Sequence, residues 1–257
     1  MKLQKKSNIL SVYFTAGYPS LNSTIPIMKA LERNGVDMVE VGMPYSDPMA
    51  DGPVIQQSSA KAIANGMTID RLFGELHKAR SVFSKPIMLM GYLNPILQYG
   101  LERFAQRTSE VGVSGLIVPD MPLDYYRKSF KSICEKYNLG MVFLVTPNTS
   151  DDRVREIDEL SSPFIYAVST YAITGSQGTF SQLQSDYLTR LKNLNLRNPI
   201  IVGFGIHNKE TINFAHTYAQ GAIIGSAFIN SLKGEKTLDS DIDLFFKNLG
   251  VKNSKKC

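Results

Sequence analysis

Eight short apolar runs, rich in Val, Ile and Phe, constrain what this chain can fold into. They cover residues 9–15, 38–41, 86–92, 115–118, 141–145, 164–169, 199–203 and 222–225. Most are continuously apolar rather than alternating, which is the pattern of strands covered on both faces. Helical periodicity fills the gaps, at 20–34, 68–83, 101–111, 123–137, 151–160, 180–194, 208–218 and 239–249. Several of these stretches carry end signals. Asn34-Gly35 reads as a C-cap, Thr68 as an N-cap, and Ser150 precedes two first-turn acids, Asp151 and Asp152. Strand and helix alternating eight times over 257 residues predict a single-domain (β/α)8 barrel, a TIM barrel with extra helices. A doubly wound sheet would alternate too. It usually carries a glycine fingerprint after its first strand, and here that place reads T-A-G-Y-P.

The domain is expected to span 1–257, with frayed basic ends at about 1–7 and 250–257. Seven of the 28 Lys and Arg lie at the ends: Lys2, Lys5, Lys6, Lys247, Lys252, Lys255 and Lys256. Without them the body holds 21 basic against 23 acidic residues. The net charge of +5 is therefore no sign of a basic face, and no nucleic-acid partner is expected. No apolar run nears the 18 residues of a membrane span, and the first residues lack the apolar segment of a signal peptide. A cytoplasmic location without a membrane partner is the expectation. Cys134 and Cys257 show neither metal spacing nor a disulfide framework, and Cys134 reads as a small core residue. His77, His207 and His216 form no H-x-x-x-H pair, so no metal site is expected.

The most irregular stretch is 38–57. An apolar strand carrying Glu40 breaks at Gly42 and gives way to a segment with Pro44, Pro48 and Pro53, through which no helix or strand is expected to run. A carboxylate inside an apolar strand is costly unless paired or neutralised. Asp51 in the loop beyond could close a site over it. Alternatively Glu40 faces water on an edge strand, and Asp47 and Asp51 are turn residues. In a (β/α)8 barrel the active site lies at the C-terminal ends of the strands. That rule collects Glu40, Asp51, Tyr92, Asn94, Asp120, Tyr166, Ser169, Thr174 and Gly175. The late loops read T-G-S-Q-G, G-F-G-I and G-S-A. Such glycines either make tight turns or let backbone N–H groups approach a ligand. With Ser226 opening a short helix after the last strand, a phosphate site is favoured.

V-E-V-G-M-P-Y-S-D-P-M-A-D-G-P-V-I-Q resembles the signature of tryptophan synthase alpha chains. F-T-A-G-Y-P, G-Y-L-N-P-I-L-Q-Y-G, L-I-V-P-D-M-P, L-V-T-P-N-T-S, V-G-F-G-I and I-I-G-S-A resemble further segments in family order. The resemblance implies a lyase that cleaves indole-3-glycerol phosphate to indole and D-glyceraldehyde 3-phosphate. It implies Glu40 and Asp51 as the catalytic pair, with Tyr13, Tyr166 and Thr174 on the substrate. It implies Gly175, Gly205, Gly225 and Ser226 on the phosphate. No cofactor is implied in this chain. Pyridoxal phosphate belongs to a beta subunit that receives the indole in an α–β–β–α heterotetramer. Three positions depart from the family pattern: Ala172-Ile173 stands where Gly-Val is common, and Tyr18 where Asp is common.

The residues suit the chemistry. Retro-aldol cleavage needs a proton on indole C3, loss of the C3′ hydroxyl proton, and stabilisation of charge at N1–H. A carboxyl group between Val39 and Val41 has the apolar setting that raises a pKa for proton transfer. A second carboxylate can offset charge at N1. No lysine lies at the C-terminal ends of the expected strands, which argues against a Schiff-base aldolase or a lysine-dependent indole-glycerol-phosphate synthase. Another phosphate-binding barrel, such as a phosphoribosyl isomerase, a non-catalytic activating subunit, and a lyase that releases free indole remain as alternatives.

Overall fold

The computed structural model describes residues 7–168, 182–203, 205–234 and 237–250. Nine strands are present among the described residues: β1 Ile9–Thr15, β2 Met38–Gly42, β3 Ile87–Met90, β4 Gly115–Ile117, β5 Gly140–Val142, β6 Leu144–Val145, β7 Ile165–Val168, β8 Ile200–Gly203 and β9 Gly221–Ile224. All pair in parallel, in the order β5-β4-β3-β2-β1-β9-β8-β7-β6. The two ends of that order are one stretch of chain. The expected fifth strand is interrupted at Phe143, whose carbonyl accepts from Tyr166 N at 3.0 Å. The ring of strands is therefore all but closed, as a TIM barrel requires.

The continuous apolar runs are explained by strand parity. Ile9, Tyr13, Met38, Met88, Met90, Ile117, Val142, Tyr166, Ile201 and Ile223 form one buried cluster, inside the barrel. Their sequence neighbours Leu10, Val12, Phe14, Val39, Val41, Leu89, Leu116, Val202 and Ile224 belong to a second cluster, between strands and helices. Successive side chains on a strand point to opposite faces, and here both faces are dry. Each fully buried Phe of the outer layer, such as Phe73 or Phe104, contributes about 1.5–3 kcal/mol.

Twelve α-helices accompany the strands among the described residues: α1 Thr24–Arg33, α2 Pro53–Ala64, α3 Ile69–Ala79, α4 Leu93–Tyr99, α5 Leu101–Glu110, α6 Leu123–Tyr125, α7 Lys131–Lys136, α8 Asp151–Leu160, α9 Gln182–Asn193, α10 Lys209–Tyr218, α11 Ser226–Ser231 and α12 Leu238–Leu249. Thr68 and Ser150 accept from the N–H three residues on, as their sequence signals predict. Four expectations are corrected. The segment holding three prolines is not wholly irregular, because Pro53 is the first residue of α2, where a missing N–H costs nothing. The 20–34 helix begins only at Thr24. The 123–137 helix is broken by a π-helical turn at Tyr126–Phe130, which buries Tyr126 and Phe130 together. A helix not foreseen, α4, follows β3. Cys134 is buried and free, as expected of a core residue. Among the described residues no helix is long and apolar enough to cross a membrane.

Candidate active site

Glu40 sits in the middle of β2, flanked by β1 and β3, so it is not on an edge. It lies two residues beyond Met38 and shares its inward face. The side chain is fully buried. Its Oε1 accepts from Ser11 Oγ at 3.0 Å, while Oε2 has no partner among the described residues. Burial raises the carboxyl from an ordinary value of 4.5 to about 8, and the Ser11 hydrogen bond opposes this only in part. Burial thus favours the protonated acid over the carboxylate at neutral pH.

Asp51 reaches the barrel mouth from the loop between β2 and α2. Its backbone N–H donates to Pro48 O at 3.1 Å, and its carbonyl accepts from Gln56 Nε2 at 2.8 Å. Its Oδ2 accepts from Tyr92 Oη at 2.9 Å, and that same phenol oxygen accepts from Ala50 N at 3.0 Å. The ring of Tyr92 packs on Tyr45 at 5.4 Å between centroids, and Asn94 Nδ2 donates to Tyr45 Oη at 3.2 Å. Burial raises the Asp51 carboxyl above its usual value, against the Tyr92 hydrogen bond that lowers it. The other oxygen, Oδ1, is buried without a partner among the described residues. It is an acceptor waiting for a donor.

Asp51 lines a cavity with Tyr13, Tyr166, Gly205, Gly225 and Ser226, closed by Ile55, Met90 and Ile223. Its volume of about 170 Å³ is far above the roughly 10–15 Å³ that one water needs, so it is ligand-sized and not a packing void. Five of the expected site residues beyond the catalytic pair thus meet in one place. Glu40 does not line the cavity. It is fully buried, and the two cavity-lining phenols, Tyr13 and Tyr166, each feel both Glu40 and Asp51. Burial, then Glu40 and Asp51, push the Tyr166 phenol well above its usual range; burial, then Asp51, do the same to Tyr13. The two phenols depend on glycine neighbours. A Cβ at Gly42 would collide with the Tyr13 phenol, and one at Gly203 with the Tyr166 phenol.

Other expectations fall differently. Asp120 accepts from Leu93 N at 2.9 and 3.2 Å, so it caps α4 and does not face the cavity. Asn94 bonds to Tyr45 and does not line the cavity. Thr174, Gly175, Ser169 and the Ala172-Ile173 departure lie outside the described residues. His207 lines the cavity and escaped the sequence reading, because a lone histidine after G-F-G-I has no spacing signal. Among the described residues no group of three His, Cys, Asp or Glu could hold a metal ion.

A sequence profile described as "Tryptophan synthase alpha chain" matches residues 1–250. The chain is 56% identical over 231 residues to the tryptophan synthase alpha chain of Flavobacterium johnsoniae, covering 90% of this chain and 91% of that one. It is 50% identical over 245 residues to that of Parabacteroides distasonis, covering 95% of each. The crystal structure of the tryptophan synthase A-subunit of Pyrococcus furiosus superposes with a TM-score of 0.86 at 32% identity, over 96% of this chain and 98% of that one. The barrel, the cavity and these likenesses agree: the chain belongs to the tryptophan synthase alpha chain family, enzymes of tryptophan biosynthesis.

Proposed function

We propose that the chain cleaves indole-3-glycerol phosphate to indole and D-glyceraldehyde 3-phosphate. The observation that carries this reading is the pair of unlike carboxyls, Asp51 lining the cavity and Glu40 buried within electrostatic reach of its Tyr13 and Tyr166 walls. Glu40 is neutral at pH 7 and has a proton to give. Asp51 offers an unpartnered oxygen to a donor in the cavity. Glu40 protonates indole C3, and the positive charge that develops at N1 is offset by Asp51, which accepts the N1–H. The Glu40 carboxylate then takes the C3′ hydroxyl proton. The C3–C3′ bond breaks, its electrons restore the indole, and C3′ becomes the aldehyde. Glu40 ends protonated, as it began. To do this its carboxyl rotates out of the barrel core between Tyr13 and Tyr166.

Tyr13 and Tyr166 form the walls around the indole and the glycerol chain, with Thr174 a further contact. Gly205, Gly225 and Ser226 hold the phosphate through backbone N–H groups, and Gly175 completes that set. The whole chain, 1–257, acts as one cytoplasmic domain with no cofactor of its own. Its indole passes to a beta subunit that carries pyridoxal phosphate, in an α–β–β–α assembly. Asp51 rides on a loop held by few bonds, so a partner that fixes the loop raises activity without adding a catalytic group. The test is indole release from indole-3-glycerol phosphate at saturating substrate, with and without a tryptophan synthase beta subunit. Slow release alone and a rise of at least about tenfold, about 1.4 kcal/mol, with the subunit is expected. Equal rates would mean a self-sufficient lyase, and no indole in either case would overturn the proposal.

A further inference from the structure

His207 stands in the cavity wall beside Gly205, Gly225 and Ser226. Among the described lining residues it is the one side chain able to carry positive charge, and Asp51 is the one carboxylate. The imidazole is oriented. Its Nδ1 lies 2.7 Å from the Gly205 carbonyl oxygen. A carbonyl has no proton to give, so Nδ1 carries the hydrogen and donates it. That leaves Nε2 as the nitrogen available to a ligand, an acceptor in the neutral ring and a donor in the imidazolium. The backbone is pinned as well. His207 N donates to Thr211 Oγ1 at 3.0 Å, within the capping box that Asn208 and Thr211 build at the start of α10.

We propose that His207 is a recognition residue for the phosphate of the substrate, with Nε2 donating a charge-assisted hydrogen bond to a phosphate oxygen. The inference rests on reading Gly205, Gly225 and Ser226 as the phosphate wall. Backbone N–H groups supply neutral donors only. A phosphate monoester carries close to two negative charges at pH 7. Placing it in a largely apolar cavity that already holds Asp51 calls for a compensating cation. The described lining offers neither lysine nor arginine, and His207 is fixed where that charge is needed. A bound dianion favours the imidazolium, so ligand and protonation support each other.

The experiment is calorimetric titration of glycerol 3-phosphate into wild type, H207A, H207Q and H207N, alongside steady-state cleavage and thermal unfolding of each. H207A is expected to weaken glycerol 3-phosphate binding by about 10- to 100-fold, the range for a hydrogen bond to a charged group. The loss should appear in KM rather than in kcat. H207Q, whose amide N–H can still reach, should recover part of the affinity, and the shorter H207N should not. Binding of indole, which has no phosphate, should be the same in all four. Equal glycerol 3-phosphate affinity in wild type and the folded variants would overturn the role of His207 and leave the phosphate wall standing. If H207A fails to fold, the contrast between H207Q and H207N decides, and no difference between them overturns the inference. Failure of wild type to bind glycerol 3-phosphate would remove the phosphate wall and this inference with it.

Discussion

Glu40 and Asp51 come to the candidate site from opposite kinds of structure: Asp51 lines the cavity, and Glu40 is buried in the barrel without lining it. Glu40 is built into a regular strand. Hydrogen-bonded strands hold it on both sides, and side chains of the barrel interior surround it. Its single polar contact among the described residues is Ser11. Asp51 is held in a loop by named side-chain bonds, Tyr92 to its carboxylate and Gln56 to its carbonyl. The strand supplies burial, and burial makes an acid that stays protonated. The loop supplies position and leaves one carboxylate oxygen free to accept. A rigid strand suits the group whose environment must be extreme. A loop suits the group that must close over something arriving from solvent.

The largest effect expected from breaking this contrast is at Glu40. Glu40→Gln keeps the shape and the Ser11 contact but cannot carry a proton. We expect kcat to fall by about 10²–10⁴-fold, about 3–5 kcal/mol of barrier, with glycerol 3-phosphate binding retained. A variant keeping more than about a tenth of wild-type kcat would show that the proton comes from elsewhere.

The same substitution has the opposite effect on stability. The folded protein keeps a proton on Glu40 up to about pH 8, whereas the unfolded chain loses it near 4.5. Between those values the folded state binds more protons, so wild-type stability falls as pH rises, with a slope from this one group of at most about 1.4 kcal/mol per pH unit. Above about 8 the contribution levels off. Denaturant unfolding of wild type and E40Q across pH 5–9 should therefore show E40Q gaining relative stability as pH rises to about 8, with the difference levelling off beyond. Parallel curves would mean that Glu40 is not neutral in the folded barrel.

A second substitution tests the strand side away from the carboxyl itself. Gly203 makes room on β8 for the Tyr166 phenol, as Gly42 does on β2 for Tyr13. Gly203→Ala should cost about 1–3 kcal/mol of stability by overpacking and should displace Tyr166 into the cavity. Gly203→Ala combined with Tyr166→Phe should recover only part of that loss, because the nearest colliding atom, Oη, is gone while the ring carbons Cζ and Cε1 remain in the way. An additive double mutant would separate the two residues.

How much of this was readable follows the same division. The strands were legible because both their faces are dry, and Glu40 stood out as a charge in such a run. Phe143 was not seen as a break, since nothing apolar about it differs from its neighbours. The pairing of Tyr13 with Gly42 and of Tyr166 with Gly203 was hidden because it depends on register between strands. In the loops, a row of prolines concealed α2, although Pro is favoured at the first helical position. Asp120 looked like a site residue because an acid after a barrel strand carries no mark that separates catalysis from capping. The aromatic support of Asp51 was likewise out of reach: Tyr45 and Tyr92 are far apart in sequence and meet only in space.

That support gives the smallest and most discriminating test. Tyr92 Oη both donates to Asp51 and accepts from Ala50 N, so one hydroxyl ties the carboxylate and the loop backbone to the end of β3. Tyr92→Phe removes the hydroxyl and leaves the ring against Tyr45. A typical hydrogen bond is worth about 0.5–1.5 kcal/mol, and one to a charged group about 1.5–3. Asp51 keeps its other loop contacts, so we expect the low end: kcat/KM down by about tenfold, about 1.4 kcal/mol, with little change in unfolding temperature because the barrel core is untouched. If Asp51 is the group that Tyr92 serves, the defect should vanish in an Asp51→Asn background, which is already impaired. A Tyr92→Phe loss that persists undiminished in that background would mean that Tyr92 contacts the substrate itself, and that the loop is held in place by something other than the bond to Asp51.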